Sequence, residues 1–392
     1  MTSLPGIDEA LALLLARVRP LAAEELPLAA ARGRYAAEDV RATTDLPPFR
    51  SSAMDGFAVR AADTPGALQV VGQSAAGHPS DRVLGPGEAI EISTGAVVPE
   101  GADAVVPVER TRGSVEVEAV AMEENVRPRG GDVRAGEVVV PQGARLGAPQ
   151  CAALAAAGVA RVRCARRPRV VVLATGSELR APGEPLGPGE IYESNTVLLA
   201  AALADCDVEV LKPVADDEAA TRDAIARGLE ADVLVTTGGV SVGRHDLVRA
   251  SLDALGAEEV FWRVAVKPGK PVAFAVRDAT LVFGLPGNPV SSLVGCELFV
   301  RPAIDALQGA RDPRPRLYTA VLGRALRRTA QRDELVRART RIEDDVVHVD
   351  PLDGQDSHMI ARAAAADALV LVRRGEGELA AGAQVSYLPL ER

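Results

Sequence analysis

The chain has 392 residues, a formal net charge of −10 and a pI near 5.2, a balance that argues against general nucleic-acid binding. No apolar run is long enough to cross a bilayer and no charged segment leads into an apolar one at the start, so a cytoplasmic protein without a membrane partner is expected. The length predicts two to four domains, and with aromatics at 3 % their cores must be built from Ala, Val and Leu.

Residues 7–18 place Ile7, Leu11, Leu14, Leu15 and Val18 on one helical face, predicting an amphipathic helix that serves as scaffold or subunit contact. Residues 45–59 read DLPPFRSSAMDGFAV; two prolines force extension, Gly56 marks a turn, and Asp55 suits either a capped loop or a site. From residue 60 to 122 short alternating runs between Gly and Pro clusters predict a small β domain, in which Thr94-Gly95 is a turn or a ligand contact. An Ala-rich helix from Pro149 closed by Gly158 follows, and residues 123–166 are expected to return to the domain opened by the first helix.

From residue 167 strand and helix patterns alternate, predicting a parallel sheet with helices on both faces. Residues 169–174 form a strand, and TGSEL at its end (Thr175, Gly176, Ser177, Glu178) reads as a helix start. A helix follows Ser194 and Asn195, and another is expected to be capped by Asp216. The organising stretch is residues 232–246, DVLVTTGGVSVGRHD. An apolar β-branched run ends at Thr237 and delivers Gly238, Gly239, Ser241, Gly243 and Asp246 to the strand's carboxyl end. A strand, a glycine loop and a helix start make an anion or nucleotide site, although one Gly-Gly alone would make only a tight turn. KPGKP (residues 267–271) and GLPGNPVS (residues 284–291, with Pro286, Gly287, Asn288 and Ser291) each follow another strand-like run. The three loops are expected to converge on one crevice.

Lysine occurs only as Lys212, Lys267 and Lys270, so two of three lie in KPGKP, where a compact ammonium differs most from a guanidinium. The four cysteines and four histidines show no zinc spacing; the cysteines read as small buried hydrophobes. Residues 311–341 carry ten arginines against three acids, a run expected to be mostly a solvated sheet face, before a more acidic β-rich tail.

TTGGVSVGRHD, VKPGKP and GLPGNPVS together, with SSAMDGFAV, closely resemble the MoeA-type molybdopterin molybdenumtransferases, the molybdenum insertases similar to the gephyrin C-terminal domain. QRDELVRAR and QDSH are partial matches in the tail. The resemblance implies a multidomain α/β plus β protein with a central three-layer α/β/α domain and a mostly parallel sheet (residues 167–311). Around it are expected an N-terminal mixed domain (1–59 and 123–166), an inserted small β domain (60–122) and a C-terminal β-barrel-like domain (312–392). The implied reaction places molybdate on the dithiolene of adenylylated molybdopterin, hydrolyses the phosphoanhydride and releases AMP. Glycine-loop amides, including those of the Thr175-Gly176-Ser177 turn, would cradle phosphate or pterin, within a ligand wall that also includes Ser194, Asn195, Thr237, Pro286 and Gly287. Asp246 would hold Mg²⁺, with Asp55 or Asp216 as second carboxylate. Lys267, Lys270, Arg337 and Ser357 would face molybdate with Ser291 and Asn288, and Glu178 is the alternative carboxylate for the attacking water. A homodimer is implied, with possible contacts to molybdopterin adenylyltransferase and acceptor molybdoenzymes. The competing readings are a molybdopterin adenylyltransferase and a gephyrin-like scaffold.

Overall fold

The computed structural model of the chain describes residues 4–112, 116–239 and 247–390, so Ser241, Gly243 and Asp246 lie outside the described residues. The first helix, α1 (Ile7–Leu15), stops short of Val18, which is buried beyond its last turn. Its stripe of Ile7, Leu11 and Leu14 joins the core of the central sheet rather than residues 25–59, with which the sequence pattern grouped it. Accordingly Met1–Glu24 and Ala165–Arg392 form one compact unit and Glu25–Cys164 another.

In the Glu25–Cys164 unit, β1 (Gly56–Val59), β2 (Gln69–Ser74), β3 (Glu88–Ile92) and β4 (Ala104–Pro107) form one sheet in the order β2-β3-β1-β4. Gly56 opens the inner strand β1 with φ +159°, and a Cβ there would sit 2.0 Å from the Val106 carbonyl oxygen, so the residue must be glycine. Asp55, just ahead of it, accepts the Thr94 amide at 2.8 Å. The helix α2 (Ala148–Ala156) buries Leu154 in a separate small core with Ala31, Val40, Val140 and Leu146.

In the other unit, β5 (Arg169–Ala174) leads to α3 (Asn195–Ala202), and β6 (Asp207–Val210) to α4 (Glu218–Gly228). Then come β7 (Val233–Thr237), α5 (Leu247–Ala254), β8 (Glu258–Phe261), β9 (Ala273–Arg277), β10 (Thr280–Leu285), α6 (Pro289–Gly295) and α7 (Arg301–Leu307). The sheet order is β6-β5-β7-β10-β9-β8; the first four strands are parallel, and β9 and β8 reverse. One face packs Val170, Val172 and Val235 against α1, α3, α6 and α7, while the other packs Val171, Leu173 and Leu234 against α4 and α5. That alternation is the period of a strand covered on both sides. Four of the six phenylalanines gather on the first face: Phe274 lies 5.7 Å from Phe261 and 5.1 Å from Phe283, and Phe261 lies 6.2 Å from Phe299.

Three local expectations are corrected. No helix starts at TGSEL: the Thr175–Glu178 turn instead leads into a two-residue strand, Leu179–Arg180, paired with Ile191–Tyr192. The cap of α4 is Asp217, which accepts the Ala220 amide at 2.7 Å, and this leaves Asp216 for the Ser177 hydroxyl. The strand-like run before KPGKP, VFWRVAV (residues 260–266), is not one strand, since β8 ends at Phe261 and Val266–Lys267 pairs with Asp333–Glu334 instead.

Beyond α7, β11 (Tyr318–Leu322), β12 (Asp333–Glu343), β13 (Val346–Pro351), β14 (Ala368–Val372) and β15 (Gln384–Pro389) follow. They close into a five-stranded barrel because β12 pairs with both β13 and β14. Closure leaves no edge in the ring, and its interior is filled by small apolar residues such as Ala320, Val336, Ala338 and Val370.

Two outcomes follow from this packing. Burial pushes the Asp232 carboxyl up, but the Arg166 fork, donating to both oxygens at 2.6 Å, and the Arg169 amide outweigh it and hold the group below 3.8. Because the folded value is the lower one, the stabilisation is full above 3.8 and fades as pH falls through the folded value. Asp232→Ala should therefore cost about 2 kcal/mol at neutral pH, and urea melts should show the gap to wild type closing as the solution is acidified. Gly238 (φ +86°) would place a Cβ 2.4 Å from the Thr175 carbonyl oxygen, whereas Gly189 (φ +82°) has open space around it. Gly238→Ala should thus cost about 1–3 kcal/mol more than Gly189→Ala, measured by the same melts; equal losses would rule out the close approach.

Candidate functional site at the strand ends

The parallel register puts Ala174, Thr237 and Leu285 side by side, so the loops after β5, β7 and β10 leave the sheet at one level. Because β9 runs antiparallel to β10, with Ala273 opposite Gly284, its start lies at this end too and brings Lys270 and Pro271 in. Between these segments opens a cavity of about 950 Å³.

From the sequence-derived set, Thr175, Gly176, Glu178, Ser194, Asn195 and Asp216 line one part of the wall. Thr237, Gly238, Gly239, Lys270, Pro286, Gly287 and Asn288 line the rest. Asn195, the first residue of α3, ties two loops together, its amide nitrogen donating to Thr237 Oγ1 and to the Gly287 carbonyl, each at 2.7 Å. Glu193 in turn accepts the Asn195 and Thr196 amides at 2.6 and 2.9 Å, a carboxylate at the positive end of the helix.

The amide groups divide differently from the expectation. Gly238 N–H donates to Leu285 O at 3.1 Å, Thr175 N–H to Thr237 O at 3.0 Å and Gly176 N–H to Val214 O at 3.0 Å, so these three are spent on the loops themselves. Among the described residues, the amides of Ser177, Gly239 and Gly287 have no acceptor, and those of Gly239 and Gly287, on the cavity wall, remain for a ligand.

Several candidates stand away from the cavity wall. Lys267 makes an ion pair with Glu334 at 2.8 Å. Arg337 is 1 % exposed, and its guanidinium donates to the carbonyls of Gly354, Asp356 and Met359. Gln355 completes that clamp by accepting the Arg337 amide at 3.0 Å and donating to the Arg337 carbonyl at 2.9 Å. Arg337 therefore holds the segment that follows β13 instead of reaching into the cavity. In that segment the Ser357 carbonyl accepts the Val290 amide at 3.1 Å, and His358 and Ile360 line the wall. Ser291 is buried in the first turn of α6, Ser177 lies behind Asp216 at 3.0 Å, and Asp55 belongs to the Glu25–Cys164 unit.

The wall also contains Ile191, Tyr192, Glu193, Arg263, His358 and Ile360, which sequence reasoning did not single out. The one signal for Arg263 was its place shortly before KPGKP, and for His358 its place in QDSH. Chemically, the cavity sets carboxylates at Glu178 and Asp216 and an ammonium at Lys270, unpaired among the described residues, around unsatisfied amides. Such a set can hold an anion and an oxygen-preferring cation together.

Family profiles match residues 6–158 as the MoeA N-terminal region (domain I and II), residues 171–306 as a probable molybdopterin binding domain and residues 319–390 as the MoeA C-terminal region (domain IV). A molybdopterin molybdenumtransferase of Haemophilus influenzae is 37 % identical over 382 residues, covering 94 % of each chain. Molybdopterin molybdenumtransferase 2 of Mycobacterium tuberculosis is 37 % identical over 413 residues, covering 100 % of each. The solved molybdopterin biosynthesis MoeA protein of Pyrococcus horikoshii superposes with a TM-score of 0.81 at 30 % identity, again over 100 % of both chains. With three profiles and full-length relatives spanning the same fold, the chain belongs to the MoeA family of molybdopterin molybdenumtransferases.

Proposed function

We propose that the chain is a transferase of molybdenum cofactor biosynthesis that inserts molybdenum from molybdate into adenylylated molybdopterin in the cavity at the ends of β5, β7 and β10. Water adds across the phosphoanhydride and AMP leaves; the pterin retains its own phosphate, and its two dithiolene thiols bond to molybdenum while one oxygen of molybdate leaves with their protons as water. The observation that carries this reading is the convergence of Lys270, the free amides of Gly239 and Gly287, and the carboxylates of Glu178 and Asp216 on one cavity. Lys270 offers a charge to the oxyanion. The amides orient the phosphates, and Asn195 fixes the two loops that present them. Glu178 is placed to direct the attacking water.

Mg²⁺ fits the donor set. Among the described residues no three His, Cys, Asp or Glu side chains cluster. Mg²⁺, however, is commonly held by one or two carboxylates plus substrate phosphates, and Asp216 has no basic partner within 4.0 Å among the described residues. Asp216, with Asp246, would hold the ion, which supplies charge neutralisation at the phosphoanhydride. A cytoplasmic homodimer that receives its substrate from the adenylyltransferase and serves acceptor molybdoenzymes completes the proposal.

The test is AMP release from adenylylated molybdopterin, Mg²⁺ and molybdate by the purified protein. ATP consumption without molybdate-dependent AMP release would instead identify an adenylyltransferase, and no turnover would favour a scaffold. Within an active protein, Lys270→Ala should raise the molybdate concentration needed for half-maximal rate by about one to two decades, with partial rescue at high molybdate. Lys267→Ala should do markedly less, because its ammonium is already paired with Glu334. Equal defects in the two variants would contradict this assignment.

A further inference from the structure

Residues 181–190, APGEPLGPGE, connect the two-residue strands Leu179–Arg180 and Ile191–Tyr192, which pair in parallel. This proline-rich loop is held by its own polar groups. Glu184 accepts the Ala181 amide at 3.2 Å, and Glu190 accepts the Gly187 amide at 2.7 Å while pairing with Arg180. Tyr192, just past the loop, donates its hydroxyl to the Glu184 carbonyl at 2.9 Å. With the hydroxyl spent, the residue has its ring left to offer. Tyr192 is 46 % exposed and Ile191 beside it 54 %, and both line the cavity. Among the described residues, Tyr192 is the one Phe, Tyr or Trp on the cavity wall, in a chain with aromatics at 3 %.

The ring is anchored from its other side as well. Glu193, the next residue, accepts the Asn195 and Thr196 amides, and Asn195 ties Thr237 to Gly287. Tyr192 is thus joined, through a stretch of chain at most about 10 Å long, to the frame that presents the Gly239 and Gly287 amides. The substrate of the functional reading carries a flat heterocycle on each side of its phosphoanhydride. A face-to-face contact takes both surfaces out of water and accepts any ring with a π face. We propose that Tyr192 is a stacking platform for a flat nitrogen heterocycle of the ligand, with its hydroxyl pinned by the Glu184 carbonyl. The platform rests on the molybdenum-transfer reading only for which ring it takes, the adenine or the pterin.

Isothermal titration of the full-length protein with AMP in one arm and 6-hydroxymethylpterin in the other, for wild type, Tyr192→Phe and Tyr192→Leu, tests this. Ribose 5-phosphate, which has the phosphate of AMP and no base, is the control ligand. Tyr192→Leu should weaken at least one ring arm by about tenfold and leave ribose 5-phosphate binding unchanged. Tyr192→Phe keeps the ring and loses only the bond to Glu184, so it should bind like wild type. A loss confined to AMP assigns the platform to adenine, a loss confined to the pterin assigns it to that ring, and a loss in both makes it common to the two. Wild-type affinity of Tyr192→Leu in both arms would overturn the platform, as would a wild type that binds neither ring probe. Equal losses in Tyr192→Phe and Tyr192→Leu, or an equal loss for ribose 5-phosphate, would also overturn it and leave Tyr192 as an anchor of its loop. If thermal melting shows that Tyr192→Leu does not fold, Tyr192→Ser takes its place with the same readout. A wild type that releases AMP while Tyr192→Leu binds both rings normally defeats this inference alone. A wild type without AMP release whose Tyr192→Leu variant still loses ring binding defeats the functional reading and leaves the platform standing.

Discussion

The register of three parallel strands governs the rest of the structure. With Ala174, Thr237 and Leu285 hydrogen-bonded in line, each chain must turn within a residue or two of the same level. The middle turn has no room for a Cβ, since one on Gly238 would lie 2.4 Å from the Thr175 carbonyl oxygen. The same crowding consumes backbone donors, because Gly238 and Thr175 satisfy neighbouring carbonyls. What remains free on the cavity wall is pushed one residue further out, to Gly239 and Gly287. The site is thus defined as much by which amides the sheet has already used as by which residues surround the hole.

Charge is partitioned by the same logic. A cation is useful to a visiting anion only if the protein has not already neutralised it. Lys267 lies on a two-residue strand that extends the barrel sheet at β12, and Glu334 opposite it takes its ammonium. Arg337 lies on β12 itself and spends its donors on carbonyls, an arrangement that shapes the loop bearing His358. Lys270 and Arg263, at the ends of a turn, have no carboxylate oxygen within 4.0 Å among the described residues and stay available. Spacing within KPGKP does not distinguish the two lysines; strand pairing does.

The sequence made the central sheet legible because its strands are apolar, β-branched and punctuated by glycine, and Thr237-Gly238-Gly239 lies where that pattern placed it. The barrel was expected from resemblance and the parallel sheet from the alternation of strand and helix patterns, and the structure contains both. Other features depended on contacts that no local pattern encodes. Asp216 and Asp217 are equivalent as caps on paper, and only the angle at which the chain enters α4 decides between them. The TGSEL signal was a sound cap motif that lost to pairing with Ile191–Tyr192 across an intervening loop. Arg337 was read as a ligand donor because its motif was recognisable, while its burial was invisible among the other nine arginines of residues 311–341. Arg263 was overlooked for the converse reason: a common residue in an arginine-rich chain stands out only once its lack of a partner can be seen.

The placement of α1 has a temporal consequence. Its apolar stripe of Ile7, Leu11 and Leu14 is buried with Phe261, Phe299 and Ile304, residues synthesised some 300 positions later. At about 5–20 residues per second, the helix leaves the ribosome roughly 15–60 seconds before its partners exist. During that interval a nine-residue amphipathic segment, too short to be stable alone, exposes its stripe to any chaperone or neighbouring nascent chain. The Glu25–Cys164 unit has its own cores and can fold in the meantime, so a completed unit stands between the helix and the partners that bury it.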